Sequence, residues 1–259
     1  MTAADPGPSG EDGLEQGLFS HLIELRSRLL RAIVTLLIVL LALVPVANRL
    51  YAELAQPLVD RMPAGAHLIA TEVASPFFTP LKLAFYVALF VSMPMILYQL
   101  WAFVSPGLYR HEKRLARPLL VAALVLFYAG CAFAYFVVLP AAFKFLTAVT
   151  PQGVQMMTDI THYLDFVMLM FFAFGLCFEV PVAVVILAAI GVVDAEKLSK
   201  GRGYAIVGAF AIAAFITPPD LISMIMLAVP MCLLYELGLL AVRFLLKPAA
   251  PSSDLRPPL

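Results

Sequence analysis

The sequence predicts an all-α membrane protein with six transmembrane helices, some of them kinked, and with short fifth and sixth spans. Three observations predict it. The 259 residues are 63% hydrophobic and 13% charged, about half the roughly 25% charge of soluble domains. Several apolar runs exceed the roughly 18 residues that cross a bilayer as a helix. Those runs are unbroken rather than alternating, which argues against a transmembrane barrel. Finally, Lys and Arg are gathered into alternate connections, the pattern that orients a multi-pass protein.

The first 19 residues are rich in Gly, Pro and acids, including Asp5, Glu11, Asp12 and Glu15. They are expected to be disordered, because they cannot bury a core. Residues 1–17 lack Lys and Arg, so they read as neither a secretory signal nor a transit peptide. From Ser20 to Arg31, Leu22, Leu25 and Leu29 recur at helical spacing, marking an amphipathic helix at a membrane surface. It leads into span 1, about 29–47, ended by Pro45 and Asn48-Arg49. Residues 48–76 form a mixed connection with short amphipathic pieces, expected to pack over the outer side. Ser75-Pro76 reads as a helix start.

Span 2 covers about 77–104, some 42 Å of helix against a ~30 Å hydrocarbon core, with Pro94 as the expected kink. It ends in an aromatic cluster, Tyr98, Trp101 and Phe103, followed by Ser105-Pro106-Gly107 and Tyr109. Tyr and Trp favour the membrane–water boundary. Next come Arg110, Lys113, Arg114 and Arg117, with Glu112 among them. This stretch reads as a hairpin tip that offers a lone carboxylate to a cationic partner. Span 3 runs about 118–140, with an outer loop at 141–162. Span 4 runs about 163–190, followed by a basic loop at 191–203. Span 5, about 204–216, is held short by Gly201-Arg202-Gly203 before it and Pro218-Pro219 after it. Span 6 runs about 221–242, and a loose tail fills 246–259. The membrane domain is therefore 20–245.

Thirteen of the seventeen Lys and Arg lie on the N-terminal flank, in 105–117, in 191–203 and on the C-terminal flank. Both termini are accordingly expected in the cytoplasm. Span 5, about 20 Å as a helix, is some 10 Å less than the hydrocarbon thickness. Local bilayer thinning beside spans 5 and 6 would accommodate it, with Glu236 at the lowered inner surface.

Glu179 lies about 24 Å from the outer end of span 4 and about 17 Å from the inner end. An acid at that depth is costly unless it is paired, protonated or hydrated. Two readings are open: a bond to a neighbouring helix, or a site for a partner helix or a water cavity. Pro181 favours the second, since it cannot donate to the carbonyl of Cys177 and bends the span beside the acid. Glu24 stands four residues before Arg28, the favourable order for a helical ion pair. Glu112 also reads simply as a solvated acid among basic residues. Thr217, Pro218 and Asp220 fit a capping box for span 6. Glu236 falls near the inner boundary, within reach of water.

Enzyme motifs are absent: His111-Glu112 is followed by Lys-Arg rather than completing a zinc motif, and no nucleophile elbow or phosphate loop occurs. Catalysis, a metal and a cofactor are not expected. Cys131, Cys177 and Cys232 each sit inside an apolar run and read as buried hydrophobes.

Six collinear segments resemble one known family: His21-Leu-Ile-Glu-Leu-Arg26, Ser75-Pro-Phe-Phe-Thr-Pro-Leu-Lys82, Tyr98-Gln-Leu-Trp-Ala-Phe103, Pro106-Gly-Leu-Tyr-Arg-His-Glu-Lys-Arg114, Phe178-Glu-Val-Pro181 and Thr217-Pro-Pro-Asp220. Together they look like TatC, the receptor subunit of the twin-arginine protein translocase, over about 20–245. The resemblance implies six helices around a concave face in a bacterial inner membrane. It implies recognition of signal peptides with two adjacent arginines and export of folded proteins driven by the protonmotive force. It also implies work with single-span TatA- and TatB-like partners, homo-oligomers within the complex and no nucleic acid. By motif, Glu24, Glu112 and Phe103 would contact the signal, Glu179 would be the intramembrane acid, and Pro57 and Asp220 would belong to an outer cap. Carboxylates suit this ligand, because they bind the planar guanidinium fork in charge-assisted bonds.

The competing reading is a small-solute secondary transporter using Glu179 as a proton or ion site. Such a protein concentrates polar groups at mid-membrane, whereas this chain sets two acids on one face. A passive assembly scaffold would need neither Glu24 nor Glu112.

Overall fold

A computed structural model describes residues 10–59, 67–104, 116–149, 157–216 and 221–245. They divide into two compact units, one built from the chain up to 60 with 70–107, the other from 61–69 with the remainder. The structure is nearly all helical. Among the described residues, five helical paths are long and apolar enough to cross a membrane. This follows from the solvent: in hydrocarbon each backbone N–H and C=O needs a partner within the protein, and a helix supplies it locally.

The first unit contains α1 (Gly10–Leu43), a 3-10 turn at Val44–Val46, α2 (Ala47–Val59) and α3 (Ser75–Val104). α1 begins at Gly10, inside the stretch whose composition predicts disorder. Glu, Leu and Gln there are good helix formers. Pro45 tightens the chain into one 3-10 turn, sitting at its start where no N–H is needed. The chain then continues as α2, an amphipathic piece with an Arg49–Glu53 ion pair at 2.9 Å. α3 starts at Ser75, where the Ser-Pro signal placed it, and holds both Pro80 and Pro94. Its 30 residues span about 45 Å. α3 packs against α1 and α2, and Leu83, Ala84, Ala88, Leu97 and Trp101 are buried along it.

The second unit opens with β1 (His67–Ile69) and continues through α4 (Ala116–Phe133), a π-helical segment at Ala134–Val138 and α5 (Leu139–Val149). Pro140 lies just after the π segment. It cannot donate to the carbonyl of Phe136, and the helix widens there rather than ending. Span 3 therefore runs past its expected end at Pro140. β2 (Met157–Asp159) pairs in parallel with β1, His67 opposite Met157 and Ile69 opposite Asp159. Asp159 then caps α6 (Ile160–Phe178), its carboxylate accepting from the backbone N–H of Thr161 at 2.8 Å and of His162 at 3.2 Å.

α7 (Val180–Ala189) continues span 4 beyond a one-residue break at Glu179. α8 (Ala195–Lys200), α9 (Arg202–Ile216) and α10 (Leu221–Leu245) complete the unit. α9 is short as expected, 15 residues or about 22 Å. The sixth span is not short. α10 has 25 residues, about 37 Å. Pro230 does not stop it, and the helix continues past Glu236 and Arg243 because both find polar partners at its basic end.

Glycines set the helix spacing in this unit. A Cβ on Gly130 of α4 would lie 2.4 Å from the Phe174 carbonyl oxygen of α6. One on Gly238 of α10 would lie 2.9 Å from the Pro181 Cα of α7. Small residues matter in lipid, where van der Waals packing must do what hydrophobic burial does in water. Gly238→Ala is expected to force α7 and α10 apart and lower stability by about 1–3 kcal/mol. Gly208→Ala, at a position with no atom within 4 Å of the added carbon, is expected to be neutral or stabilising. Thermal unfolding of the two variants in detergent checks the difference.

Candidate functional site

In the first unit, the middle of α1 and the end of α3 meet. Glu24 accepts hydrogen bonds from Arg28 through Nε at 3.0 Å and through Nη2. The carboxylate side chain is 37% exposed, and the guanidinium 21%. The pair is therefore reachable, and its partner is local and displaceable. Arg28 also borders a groove of about 170 Å³ between α1 and α3, lined by Leu25, Leu29, Ala32, Ile96, Gln99, Leu100 and Phe103. The structure thus brings Phe103 and the partner of Glu24 to one groove. On the other flank of α1 a larger groove, about 530 Å³, is bordered by Arg26 and Arg31 and by no acid.

Glu112, Asp220 and the hairpin tip at 105–115 lie outside the described residues. So do Thr217 and Pro218 of the expected cap, and the tails 1–9 and 246–259. Pro57 falls near the end of α2.

Glu179 occupies the break between α6 and α7. Its N–H still bonds to Leu176 O at 3.0 Å, and its own carbonyl accepts from Ala183 at 2.9 Å. Pro181 follows at the start of α7. The backbone is thus satisfied around the break, but the side chain is not: Oε1 is buried without a hydrogen-bond partner. Phe133 lies against Phe174 and Phe178 in the neighbouring turns, with ring centroids 5.6 and 5.7 Å apart. A bond from this oxygen to a neighbouring helix is not made among the described residues. Cys131, Cys177 and Cys232 are free thiols, and Cys131 Sγ donates to the Phe171 carbonyl at 3.7 Å.

Glu236 is engaged. Arg202, at the first position of α9, meets it with Nε to Oε1 and Nη2 to Oε2, both at 2.8 Å. The same end of α10 donates from Tyr235 Oη to the Leu198 carbonyl at 2.8 Å and from Arg243 to Ser199 Oγ at 3.4 Å. This latch was missed in the sequence, although Arg202 between two glycines and Glu236 as the acid of span 6 are its signal. Gln99, on α3, is 4% exposed, and its Oε1 has no partner.

These elements define a multi-pass α-helical membrane protein, with the acid Glu179 inside the apolar path Ile160–Ala189. The family model for the Sec-independent protein translocase protein TatC matches residues 20–230. The chain is 53% identical over 229 residues to the Sec-independent protein translocase protein TatC of Escherichia coli K12, covering 88% of this chain and 89% of that one. It is 52% identical to the TatC protein of Haemophilus influenzae, covering 88% and 90%. A crystal structure described as the twin arginine translocase receptor TatC superposes with a TM-score of 0.76 at 36% identity, covering 88% of this chain and all of that one. The chain belongs to the TatC family of Sec-independent protein translocases.

The Arg202–Glu236 pair is testable by itself. Its side chains are 45% and 43% exposed, so a double-mutant cycle with Arg202→Gln and Glu236→Gln is expected to give a coupling of about 0.5–1 kcal/mol, shrinking as salt rises. Thermal unfolding at low and high ionic strength measures it.

Proposed function

We propose that this protein is the receptor for twin-arginine signal peptides in a translocase that exports folded proteins, driven by the protonmotive force. The observation that carries the reading is Glu24 at the Lys/Arg-rich end, held by Arg28 beside the groove that reaches Phe103. A guanidinium already grips this carboxylate. An incoming arginine can therefore take the same geometry by exchange, and the local arginine holds the acid oriented until then. By its motif, Glu112 is assigned the second carboxylate for a ligand with two arginines. Family membership and the relatives' names support the same reading. In it, the basic helix ends and both termini face the cytoplasm, the membrane is the bacterial inner membrane, and copies of the chain assemble with TatA- and TatB-like single-span proteins. Pro57 and Asp220 belong to the outer cap.

Glu24→Gln and Glu112→Gln are each expected to weaken binding of a twin-arginine peptide by about 1.5–3 kcal/mol, the scale of a hydrogen bond to a charged group. Replacing the peptide arginines with lysines is expected to weaken it too, since Lys lacks the planar fork. Titration of a fluorescent peptide against the detergent-solubilised protein reads both. Unchanged affinity in both series would exclude this site.

Glu179 is assigned the contact with a partner helix. Support comes from its bare, buried Oε1 at a helix break, because an unpaired carboxyl at that depth is costly until a polar partner arrives. Glu179→Ala is expected to insert and bind signal peptide normally while changing the response to the single-span partners. A cysteine at 179 that neither reacts with aqueous reagents nor crosslinks to a partner helix would exclude the role.

A further inference from the structure

The larger groove, about 530 Å³, lies on the other flank of α1 and combines positive charge with an apolar lower half. Helical spacing explains the combination. Arg26, Leu30 and Val34 stand four residues apart in one row, and Ser27, Arg31 and Thr35 in the next, so the two rows form one stripe along α1. Met95 of α3 lines the groove beside them. The stripe is basic at its start and apolar further along, at Leu30, Val34 and Met95. Thr35 does not break the apolar half, because its hydroxyl donates to the Arg31 carbonyl at 2.8 Å.

Position along the helix sets the depth. Residues 32–48 carry no charged side chain and cover about 26 Å as helix, close to the ~30 Å hydrocarbon core. Arg31 therefore stands at one edge of the hydrocarbon, where lipid phosphates begin, and Arg26 stands about 7.5 Å further out. An arginine at that depth lays its stem along apolar surface and sends its guanidinium outward. Both charges thus converge at headgroup level. Arg28, Arg49 and Arg202 are each held by a glutamate, whereas no carboxylate lines the groove that Arg26 and Arg31 border.

We propose that this groove binds one anionic phospholipid: Arg26 and Arg31 hold the phosphate, Ser27 adds a hydroxyl donor, and the first part of an acyl chain lies on Leu30, Val34 and Met95. Guanidinium groups match phosphate oxygens in charge-assisted, often bidentate bonds, and basic pockets between helices at a membrane surface select anionic headgroups. Other occupants fit worse. A zwitterionic lipid brings a cation against two guanidiniums, and a peptide with two arginines is repelled outright. Free phosphate or an acidic protein segment answers the charge but leaves half-exposed Leu30 and Val34 uncovered.

Native mass spectrometry of the full-length protein in detergent tests the site, with phosphatidylglycerol and phosphatidylcholine of identical acyl chains. The wild type is expected to retain one phosphatidylglycerol in preference to phosphatidylcholine. Arg26→Gln with Arg31→Gln is expected to weaken phosphatidylglycerol binding about 30-fold, at about 5-fold per arginine near a membrane surface, and to erase the preference. Arg49→Gln, beyond the far end of the apolar stretch, is expected to change nothing. Val34→Trp fills the apolar half without altering charge and is expected to weaken binding several-fold, while excess inorganic phosphate leaves the lipid bound. Arg26, Arg31 and Val34 are exposed, so each variant is expected to keep the wild-type thermal midpoint without lipid. Equal retention of the two lipids by the wild type, or undiminished phosphatidylglycerol on the double variant, would overturn the site. Displacement by inorganic phosphate, or unchanged binding to Val34→Trp, would mean that the groove takes a bare anion or an acidic segment, and the lipid proposal would fall.

Discussion

Every helix here answers one constraint: backbone polar groups inside hydrocarbon must be satisfied within the protein. The places where the α-helix is interrupted therefore carry information. Pro45 coincides with a 3-10 turn, Pro140 follows a π-helical segment, and Pro181 follows the break at Glu179. In each case the chain tightens, widens or resets its hydrogen bonds rather than opening to lipid. The break before Pro181 also carries a carboxyl, whose Oε1 is buried and unpartnered. The fold has placed a costly group at a point where the helix was already interrupted.

Glycine is the second device by which the chain copes with lipid as solvent. Gly130 brings α4 onto α6, and Gly238 brings α10 onto α7, at backbone-to-backbone distances that no other residue permits without adjustment. Close packing of this kind fixes α7 and α10 against each other, while the Arg202–Glu236 pair and the Tyr235 bond hold the basic end of α10 to α8 and α9. Short α9 is thus anchored at its first residue, although it is too short to fill a normal hydrocarbon thickness.

Much of this was legible in the sequence. Length, hydropathy and the Lys/Arg pattern identified the spans, because a bilayer demands long apolar helices and sorts their flanking charge. The Glu24–Arg28 pair could be read from its spacing of four, and the break beside Glu179 from Pro181. Other features could not be read this way. Three-residue strands carry too little periodicity to detect, so the pairing of 67–69 with 157–159 was invisible. Helix continuation past Pro140 depended on a π-helical adjustment that a local proline rule does not foresee. The partner of Glu236 could not be read from spacing, because Arg202 lies 34 residues away in the chain. Gln99 looked like one more letter of a motif. Only its burial against α1 shows that an amide oxygen is left bare.

The central claim is that the middle of α1 and the end of α3 together form the peptide site. Site-specific photocrosslinking tests it most directly, with the reactive group placed in turn at Leu25, Leu100 and Phe103, and at Leu187 and Val229 as exposed control positions of the second unit. The account predicts that a twin-arginine peptide crosslinks at the first three, and that an excess of unlabelled twin-arginine peptide competes it away. Crosslinks concentrated at Leu187 or Val229, with none at the α1–α3 groove, would contradict it.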